Sequence, residues 1–474
     1  MSLRLSCAHV STRCAWVWED GKVWKRVVAA LAVILACTYV FADAWDLAPG
    51  PLTTKPEPAH PLPYPTLDAV VAEAPEVEES DASAPSGDAV ASLISALANA
   101  ESNTGQTSVI VTDPRTGEVI ASYNASRAAT PASNMKLVTA RAALDVLGPE
   151  TTLPTVAALS GNTLYLIGGG DVLLTDGAGD PTVTRGRAGL ADLAAKVAEA
   201  LTSRSDVSGP LELVVDSSLF EGPLHYDDIE GADRGYVMEL RPIAVDRGRV
   251  QGMGYRPNPD LLAGEAFAEQ LRAAGVEVGE ASRGKAPDSA ALLARVESAP
   301  VRDLVDLLLT ESDNSVSEVM GHLVAIAKGK PATFAGSSQA IAEVLRAAGY
   351  PMDGVVLADA SGLSASNRVT AKLLTSILLD VWRCEECPFA ALPAGLPVSA
   401  LDGTLQDRFT GSDAEGQVRA KTGTLVQATS LSGFLRTEAG YPLIFSILLD
   451  QLEEGTAPGS RALIDSFVAD LTKL

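Results

Sequence analysis

The sequence predicts a multidomain α+β protein in which an antiparallel sheet is flanked by helices. The chain has 474 residues, more than one domain normally holds, and 47% of them are hydrophobic. Residues 418–449 have the pattern of three strands joined by short turns, and an amphipathic helix over residues 460–474 follows them. Residues 149–300 instead alternate strands with helices, which indicates an α/β or mixed insert.

The start of the chain has the composition of an export segment rather than of a folded domain. Residues 1–26 form a basic segment expected in the cytoplasm, and residues 27–44 are mainly apolar. This run is short for a membrane span, so a cleaved signal peptide and a retained membrane anchor both remain open. Either one places the rest of the chain outside the cytoplasm, in the cell envelope. Residues 45–90 are rich in proline, alanine and acidic residues and are predicted to be an extended linker.

The charge of the chain argues against a nucleic-acid partner, and its cysteines argue against a metal or redox site. With 36 basic and 60 acidic residues, the formal charge of −24 argues against nucleic acid. Of five cysteines, Cys384 and Cys387 are the two in the predicted globular part. In an exported protein this spacing favours a local disulfide over a metal or redox site. The cysteines therefore do not predict a metal or redox site.

The remaining elements follow the chain in a simple order. A β-hairpin over residues 108–123 precedes a helix that begins near Pro131. Hydrophobic spacing predicts the strands and helices that come after it. In the insert these are strands 164–167 and 211–215 and helices 188–202 and 260–274; beyond it they are helices 301–308, 337–348 and 370–382, with another soon after residue 314.

The first motif with catalytic potential lies at the start of the helix near Pro131. Ser133 and Lys136 are three residues apart, so their side chains share one helix face. A lysine amine in this position takes the proton of a serine hydroxyl if the amine is neutral. Lowering a lysine pKa from about 10.4 to about 7 takes roughly 4–5 kcal/mol. We expect partial burial and the cation of Lys421 to supply this shift.

The same Ser-x-x-Lys pattern occurs a second time, at Ser282 and Lys285. That copy has Gly284 inside it and Pro287 behind it, and no apolar helix follows. Because glycine and proline break helices, we predict a surface loop there and no catalytic role.

A second motif, Ser312-Asp313-Asn314, lies at a predicted junction between two helices. The Ser312 hydroxyl has the chemistry to relay a proton to a leaving amine. The Asn314 amide offers both a donor and an acceptor to a substrate amide.

A third motif, Lys421-Thr422-Gly423, lies on a predicted strand. Lys421 and Thr422 are suited to holding a substrate carboxylate through a charged and a neutral hydrogen bond. Gly423 is expected to leave room for a substrate backbone along the strand. We predict that the backbone N–H groups of Ser133 and Thr424 form an oxyanion hole.

These three motifs, in this order, resemble those of the class C low-molecular-mass penicillin-binding proteins, the D-alanyl-D-alanine carboxypeptidase/endopeptidase family. The resemblance covers roughly residues 90–474 and includes the segments 359–364 and 402–405. It implies a transpeptidase-like, β-lactamase-like domain formed by residues 91–148 and 301–474, with residues 149–300 inserted as accessory domain. The departures are modest: Val172 follows Gly170-Asp171 where proline is usual, and Ala360 stands where glycine is common.

The resemblance also implies a function. It indicates a penicillin-sensitive serine D-Ala-D-Ala carboxypeptidase that acts on peptidoglycan stem peptides through an acyl-enzyme on Ser133, with β-lactam antibiotics as inhibitors. No metal and no organic cofactor is expected to be needed for this reaction. Whether endopeptidase action accompanies it stays open, because both reactions share the acylation step. Two alternatives remain: a β-lactamase or esterase of the same fold, and a non-catalytic cell-wall-binding protein. Fast turnover of penicillin would favour the former alternative, whereas the intact Ser133 and Lys136 pair argues against the latter.

Three other polar residues are expected to have structural roles. Asp359 precedes a predicted tight turn near the site, and His322 lies within a predicted helix. Arg408 is expected to help hold the strand that carries Lys421.

Overall fold

A computed structural model describes residues 82–205, 207, 209–250 and 254–474, together with helical positions 29, 31 and 37–39. The predicted basic segment 1–26 and most of the segments 27–44 and 45–90 lie outside the described residues. The end of the predicted linker needs correction, because its last residues belong to a helix that begins at Gly87. Ser86 caps this helix by accepting a hydrogen bond from the N–H of Ala89.

The strands share a simple numbering in chain order. They are β1 (Gln106–Thr112), β2 (Val119–Tyr123), β3 (Ala128–Ala129), β4 (Pro154–Ser160), β5 (Thr163–Gly168), β6 (Leu211–Asp216), β7 (Val278–Arg283), β8 (Ala291–Glu297), β9 (Val369–Thr370), β10 (Val418–Leu425), β11 (Ala428–Arg436) and β12 (Pro442–Asp450).

The helices of residues 82–474 are numbered in the same way. They are α1 (Gly87–Ala98), α2 (Met135–Leu147), α3 (Leu190–Thr202), α4 (Pro259–Ala273), α5 (Val301–Thr310), α6 (Asn314–Ala327), α7 (Phe334–Ala347), α8 (Ala371–Trp382) and α9 (Ala457–Thr472). The predicted elements are present, with ends that differ by at most four residues. Six elements were not predicted: α1, β3, β4, β7, β8 and β9.

The main sheet is antiparallel, with the strand order β10-β11-β12-β1-β2. One face carries a core that includes Ile110, Ile444 and Leu448 together with apolar residues of α2 and α5–α8. The opposite face packs on α1 and α9. The predicted packing of the C-terminal helix on the three-stranded meander is therefore confirmed. Strand β10 lies at one edge of this sheet, so its outer side is not covered by another strand.

A second five-stranded sheet has the order β7-β6-β5-β4-β8 and comes entirely from residues 154–297. Strands β5, β6 and β7 run parallel, whereas β4 pairs antiparallel with β5 and β8. Helices α3 and α4 share a separate core with this sheet. We refer to residues 149–300 as the insert.

The second Ser-x-x-Lys pattern is not in a surface loop as predicted. Ser282 and Arg283 belong to the edge strand β7, where Val214 and Val215 of β6 are their partners. Pairing with β6 supplies the backbone hydrogen bonds that a glycine-rich loop would lack. The segment forms no helix that could bring Lys285 onto the face of Ser282.

Two further features concern the sequence predictions. Cys384 and Cys387 form a disulfide with a Cα–Cα distance of 5.9 Å, so the predicted local bridge is confirmed.

None of the helices in the described part of the chain combines the length and hydrophobicity needed to cross a membrane.

Candidate active site

Ser133 lies in a short 3-10 turn, Ala132–Asn134, that leads directly into α2. Ala132 has a φ of +47°, so the chain enters the turn through a left-handed conformation that costs free energy. Two hydrogen bonds hold the turn against β11. Asn134 Nδ2 donates to Ser430 Oγ at 2.5 Å, and Ser430 Oγ donates to the Pro131 carbonyl at 2.7 Å. The main sheet therefore fixes the position of Ser133.

Lys136 points from the first turn of α2 back toward Ser133, as its spacing predicts. Its Nζ lies 3.2 Å from Ser133 Oγ, 2.6 Å from Asn314 Oδ1 and 2.7 Å from the Ser361 carbonyl oxygen. The whole side chain is buried. Three separate segments of the chain thus meet at one lysine nitrogen.

The partners of Lys136 favour one orientation of its lone pair. The carbonyl of Tyr236 accepts a hydrogen bond from Asn314 Nδ2 at 2.9 Å, which turns Asn314 Oδ1 toward Lys136. Asn314 Oδ1 and the Ser361 carbonyl can only accept hydrogen bonds. A neutral amine has two N–H groups and one lone pair, so two N–H groups satisfy these acceptors. The lone pair then faces Ser133.

Burial lowers the pKa of Lys136 to about 8, while the carboxylates of Asp359, Asp313 and Glu318 act in the opposite direction. Of the two causes named in the sequence analysis, burial is confirmed, whereas the cation of Lys421 is not among the charges that act on this pKa. Loss of hydration favours the uncharged amine and is sufficient here. A substantial fraction of Lys136 is therefore neutral near neutral pH.

Lys421 is also fully buried, and it comes from the edge strand β10. Its Nζ donates to Ser312 Oγ at 2.9 Å and to the Thr422 carbonyl at 2.8 Å. Burial first, and then the charges of Lys136 and Arg408, lower the pKa of Lys421. The two lysines thus resist being charged together in the empty cleft.

Ser312 and Asn314 reach the site from the junction between α5 and α6. Ser312 has a φ of +56°, which lets the chain turn sharply between the two helices. Asp313 caps α6 by accepting a hydrogen bond from the Val316 N–H at 2.8 Å. The three sequence motifs are therefore brought together around one point.

Gly423 is required for a reason that the sequence did not suggest. A Cβ at this position would lie 2.3 Å from Ser430 Oγ and 2.9 Å from both the Pro131 carbonyl and the Ser133 nitrogen. The glycine therefore lets β10 approach the Ser133 turn, and its expected role in leaving room for a substrate backbone stays a prediction. Thr422 Oγ1 lies 2.8 Å from Thr404 Oγ1, so Thr404 is a site residue that the motif analysis did not assign.

Two clefts meet at these residues. Ser133 and Thr424 line one of about 710 Å³, whereas Thr404 and Glu311 line another of about 540 Å³. Tyr236, Ser312 and Asn314 line both. The two clefts therefore share the wall formed by these three residues, and Ser133 opens into the first of them. The predicted pairing of the Ser133 and Thr424 N–H groups as an oxyanion hole stays a prediction.

A buried pair of carboxyl groups supports the Ser361 carbonyl from behind. Asp359 accepts hydrogen bonds from the N–H groups of Gly362 and Ser364, each at 2.7 Å, and Glu318 accepts one from Ser361 at 2.8 Å. Burial raises the pKa of both carboxyl groups. The predicted structural role of Asp359 is confirmed, whereas Glu318 was not predicted.

The other two polar residues singled out in the sequence make their side-chain contacts elsewhere. Arg408 pairs with Asp465 of α9, at 3.1 Å from its Nε, and its expected role in holding the Lys421 strand stays a prediction. His322 is buried between Phe220 and Phe334, with ring centroids 5.1 Å apart in each pair. Burial lowers the pKa of His322 to about 4, which fits the structural role predicted for it.

No group of three or more His, Cys, Asp or Glu side chains in the described ranges is arranged to hold a metal ion. The polar groups at the site are the Ser133 and Ser312 hydroxyls, the two buried lysine amines and the Asn314 amide.

Comparisons with known proteins agree with this geometry. The model of the D-Ala-D-Ala carboxypeptidase 3 (S13) family matches residues 89–258 and 253–471. Carboxypeptidase DacB of Mycolicibacterium smegmatis is 31% identical to this chain, over 94% of the chain and 97% of the relative. Carboxypeptidase Rv3627c of Mycobacterium tuberculosis is 30% identical, over 87% of the chain and 89% of the relative.

Solved structures also share the fold. The crystal structure of penicillin binding protein 4 from Haemophilus influenzae superimposes with a TM-score of 0.66 and 22% identity, covering 81% of this chain and 99% of that one. At this identity the likeness speaks for the fold alone. It confirms the predicted fold class, an α+β penicillin-binding architecture with an antiparallel sheet flanked by helices.

Proposed function

The chain belongs to the D-Ala-D-Ala carboxypeptidase 3 (S13) family, and we propose that Ser133 is its nucleophile and Lys136 the base that activates it. The chain is accordingly a serine-type D-alanyl-D-alanine carboxypeptidase, as the sequence predicted, and its action is extracytoplasmic. The observation that supports the assignment of Ser133 and Lys136 is the set of contacts at Lys136 Nζ. Two of its partners, Asn314 Oδ1 and the Ser361 carbonyl, accept hydrogen bonds from the amine. The third, Ser133 Oγ at 3.2 Å, can therefore donate its proton to the lone pair of the amine.

Acylation then follows from the positions of the polar groups. Neutral Lys136 takes the proton of Ser133 as Oγ bonds to the carbonyl carbon of the scissile amide. When the C–N bond breaks, the Ser312 hydroxyl gives a proton to the leaving amine and regains one from Lys421, 2.9 Å away. Water later attacks the ester and gives its proton through the Ser312 hydroxyl to neutral Lys421, while Lys136 returns its proton to Ser133 Oγ, so both lysines regain their starting states.

Lys421, Thr422 and Thr404 are proposed to recognise the terminal carboxylate of the substrate. Two hydrogen bonds hold these side chains at the site: Lys421 contacts Ser312, and Thr422 contacts Thr404. An incoming carboxylate favours the charged form of Lys421 and so opposes the effect of burial on its pKa. Substrate binding thus restores the ammonium that carboxylate recognition needs.

The proposed substrates are peptidoglycan stem peptides, and β-lactams are the proposed inhibitors. A crystal structure of the Haemophilus influenzae protein, at 23% identity and a TM-score of 0.59, contains a β-lactam. In this chain the cleft lined by Ser133 and the cleft that shares Ser312 and Asn314 with it would take the two parts of a peptide. Gly423, with Thr424 beside it, is proposed to keep β10 close to the acyl carbonyl, where the N–H groups of Ser133 and Thr424 stabilise the oxyanion.

The domain organisation of the sequence analysis remains part of this proposal. Residues 91–148 and 301–474 would form the catalytic domain, and residues 149–300 an accessory insert that contributes the Tyr236 carbonyl. Residues 27–44 are proposed to direct export, as a cleaved signal or as a membrane anchor. Fractionation of cells that express the full chain would distinguish these, because only an anchor would retain it in the membrane pellet.

Defined muropeptides test the function. Incubation with a pentapeptide should release one D-alanine, read by mass, and the Ser133→Ala variant should release none. A crosslinked dimer given in parallel shows whether the enzyme also cleaves as an endopeptidase. Rapid, repeated hydrolysis of penicillin without D-alanine release would instead favour a β-lactamase. Binding to peptidoglycan with neither reaction would favour a non-catalytic wall-binding protein.

A further inference from the structure

The segment that carries Ser312 and Asn314 is held from the insert by a buried ion pair. Asp313 uses one carboxylate oxygen to cap α6 at Val316. Its other oxygen accepts a hydrogen bond from Nη1 of Arg247. Arg247 is completely buried, and Asp313 is 7% exposed. The residue between the two site residues is thus tied to a distant part of the chain.

The turn that presents Arg247 is itself tightly held. Asp246, Arg247 and Gly248 have φ values of +38°, +61° and +67°, of which the first two are unfavourable for residues with a Cβ. The Arg247 N–H donates to the Val172 carbonyl at 2.7 Å, and Arg247 Nη2 donates to Asp246 Oδ1 at 2.9 Å. An unfavourable backbone conformation persists only where surrounding contacts hold it in place. Here the held conformation directs the Arg247 guanidinium toward Asp313.

Net stability does not explain why this pair is buried. The desolvation of two charges offsets most of their attraction, so a buried ion pair contributes little compared with apolar residues of the same size. What the pair does fix is the direction of Asp313 and, with it, the two neighbouring site residues. Asn314 receives a second contact from the insert through the Tyr236 carbonyl.

The pair also controls charge near the base. Lys136 is faced by Asp313, by Glu318 of α6 and by Asp359 of the turn behind it, and Lys421 of β10 lies across the site. The Asp313 carboxylate favours the charged form of Lys136. Arg247 places a positive charge directly on that carboxylate and so compensates part of its field.

We propose that Arg247 is a positioning residue for acylation, which orients Ser312 and Asn314 through Asp313 and screens the Asp313 charge from Lys136. The inference rests on the proposed roles of Ser133 and Lys136. It assigns the insert an indirect part in catalysis, through Asp313, in addition to any part in substrate binding.

The test compares variants by their rate of acylation with a fluorescent penicillin, measured across pH. In Arg247→Met, Asp313 loses its partner, so we expect acylation about 10- to 100-fold slower. The acid limb of the pH profile should move to higher pH, because the uncompensated carboxylate stabilises charged Lys136. Asp313→Asn removes that carboxylate and should move the acid limb to lower pH. Arg247→Lys keeps the charge, so its limb should stay near that of the wild type while its rate falls.

Arg283→Met is the matched control. Arg283 is another insert arginine, and its Nη2 lies 2.7 Å from the buried carboxylate of Asp260, far along the chain from the 311–314 segment. Its loss should lower the melting temperature and leave the acid limb unchanged. A merely structural Arg247 would behave in the same way.

The outcomes separate this inference from the proposed function. Unchanged acid limbs in Arg247→Met and Asp313→Asn, or shifts in the same direction, would overturn the inference while an acylated wild type upholds the function. A wild type that is folded but never acylated would overturn both. If Arg247→Met does not fold, the other two variants carry the test. The direction in which the acid limb moves in Asp313→Asn then tests whether the Asp313 charge acts on Lys136. The acylation rate of Arg247→Lys tests whether Arg247 positions Ser312 and Asn314.

Discussion

The Nζ atom of Lys136 lies 3.2 Å from the Oγ atom of Ser133, and its two other partners, Asn314 Oδ1 and the Ser361 carbonyl, are acceptors only. This arrangement suits a neutral amine, since two N–H groups are used and one lone pair is free. Complete burial favours the same state. The account of catalysis depends on this relationship.

Replacement of Lys136 by Met should slow acylation of Ser133 by about 10²- to 10⁴-fold, the usual contribution of a general base. The rate of labelling by a fluorescent penicillin measures this directly. Lys285→Met, in the second Ser-x-x-Lys pattern, is the matched control and should label as fast as the wild type. Equal labelling of Lys136→Met and wild type would show that another group activates the serine.

The acylation rate should depend on pH through the state of Lys136. Its pKa lies at about 8, and only the neutral amine accepts a proton. The rate should therefore rise with pH toward about 8 and fall about tenfold per pH unit well below it. Second-order acylation constants measured from about pH 6 to about pH 9 provide the test. A rate that is flat or decreases over this range would contradict a lysine base.

Replacement of Gly423 by Ala should impair acylation although no reactive group is removed. The added methyl group would meet Ser430 Oγ, the Pro131 carbonyl and the Ser133 nitrogen, so β10 or the Ser133 turn must shift. We expect acylation to slow about 10- to 100-fold, the scale of a small misplacement of reacting groups.

Gly279→Ala is the control for this substitution. Gly279 also lies in a strand, but its added Cβ would meet nothing nearer than the Leu211 carbonyl, at 3.7 Å. The rate of this variant should stay unchanged. Normal acylation by Gly423→Ala would show that the close approach of β10 is not needed.

Local features of the site could be predicted from the sequence because local geometry determines them. Three-residue spacing at a helix start is sufficient to bring Ser133 and Lys136 onto one face. The order of the three motifs also indicated that Ser312, Asn314 and Lys421 would join them. Helix α1 was missed although Ser86 and the spacing of Val90, Ile94 and Leu97 offered a signal for it.

The remaining contacts depend on tertiary structure. Nothing in the sequence around Asn314 indicates that the Tyr236 carbonyl will orient it, since a backbone oxygen carries no sequence signal. The pairing of Arg247 with Asp313 joins segments that only the folded insert brings together. Partial burial of Lys136 was expected, but its complete burial by distant segments cannot be read from spacing.

Protonation of His322 should destabilise the protein in acid. Burial holds its pKa at about 4 in the folded state, against about 6.5 when unfolded. The unfolded state therefore takes up a proton first, so stability falls as pH decreases below about 6.5. Between about pH 7.5 and pH 5 this group should account for a loss of about 2 kcal/mol in the free energy of unfolding.

The His322→Leu variant isolates this contribution, since the other titrating groups are common to both proteins. Urea unfolding at both pH values should show a smaller acid-induced loss in the variant than in the wild type. Equal losses in the two proteins would mean that His322 is not the group that takes up the proton.

The most direct test of the catalytic assignment is intact-mass and peptide-mass analysis after incubation with benzylpenicillin. We predict one covalent adduct per chain, located on the peptide that contains Ser133 and absent from Ser133→Ala. An adduct on a different residue, or a folded protein that carries none, would contradict the assignment.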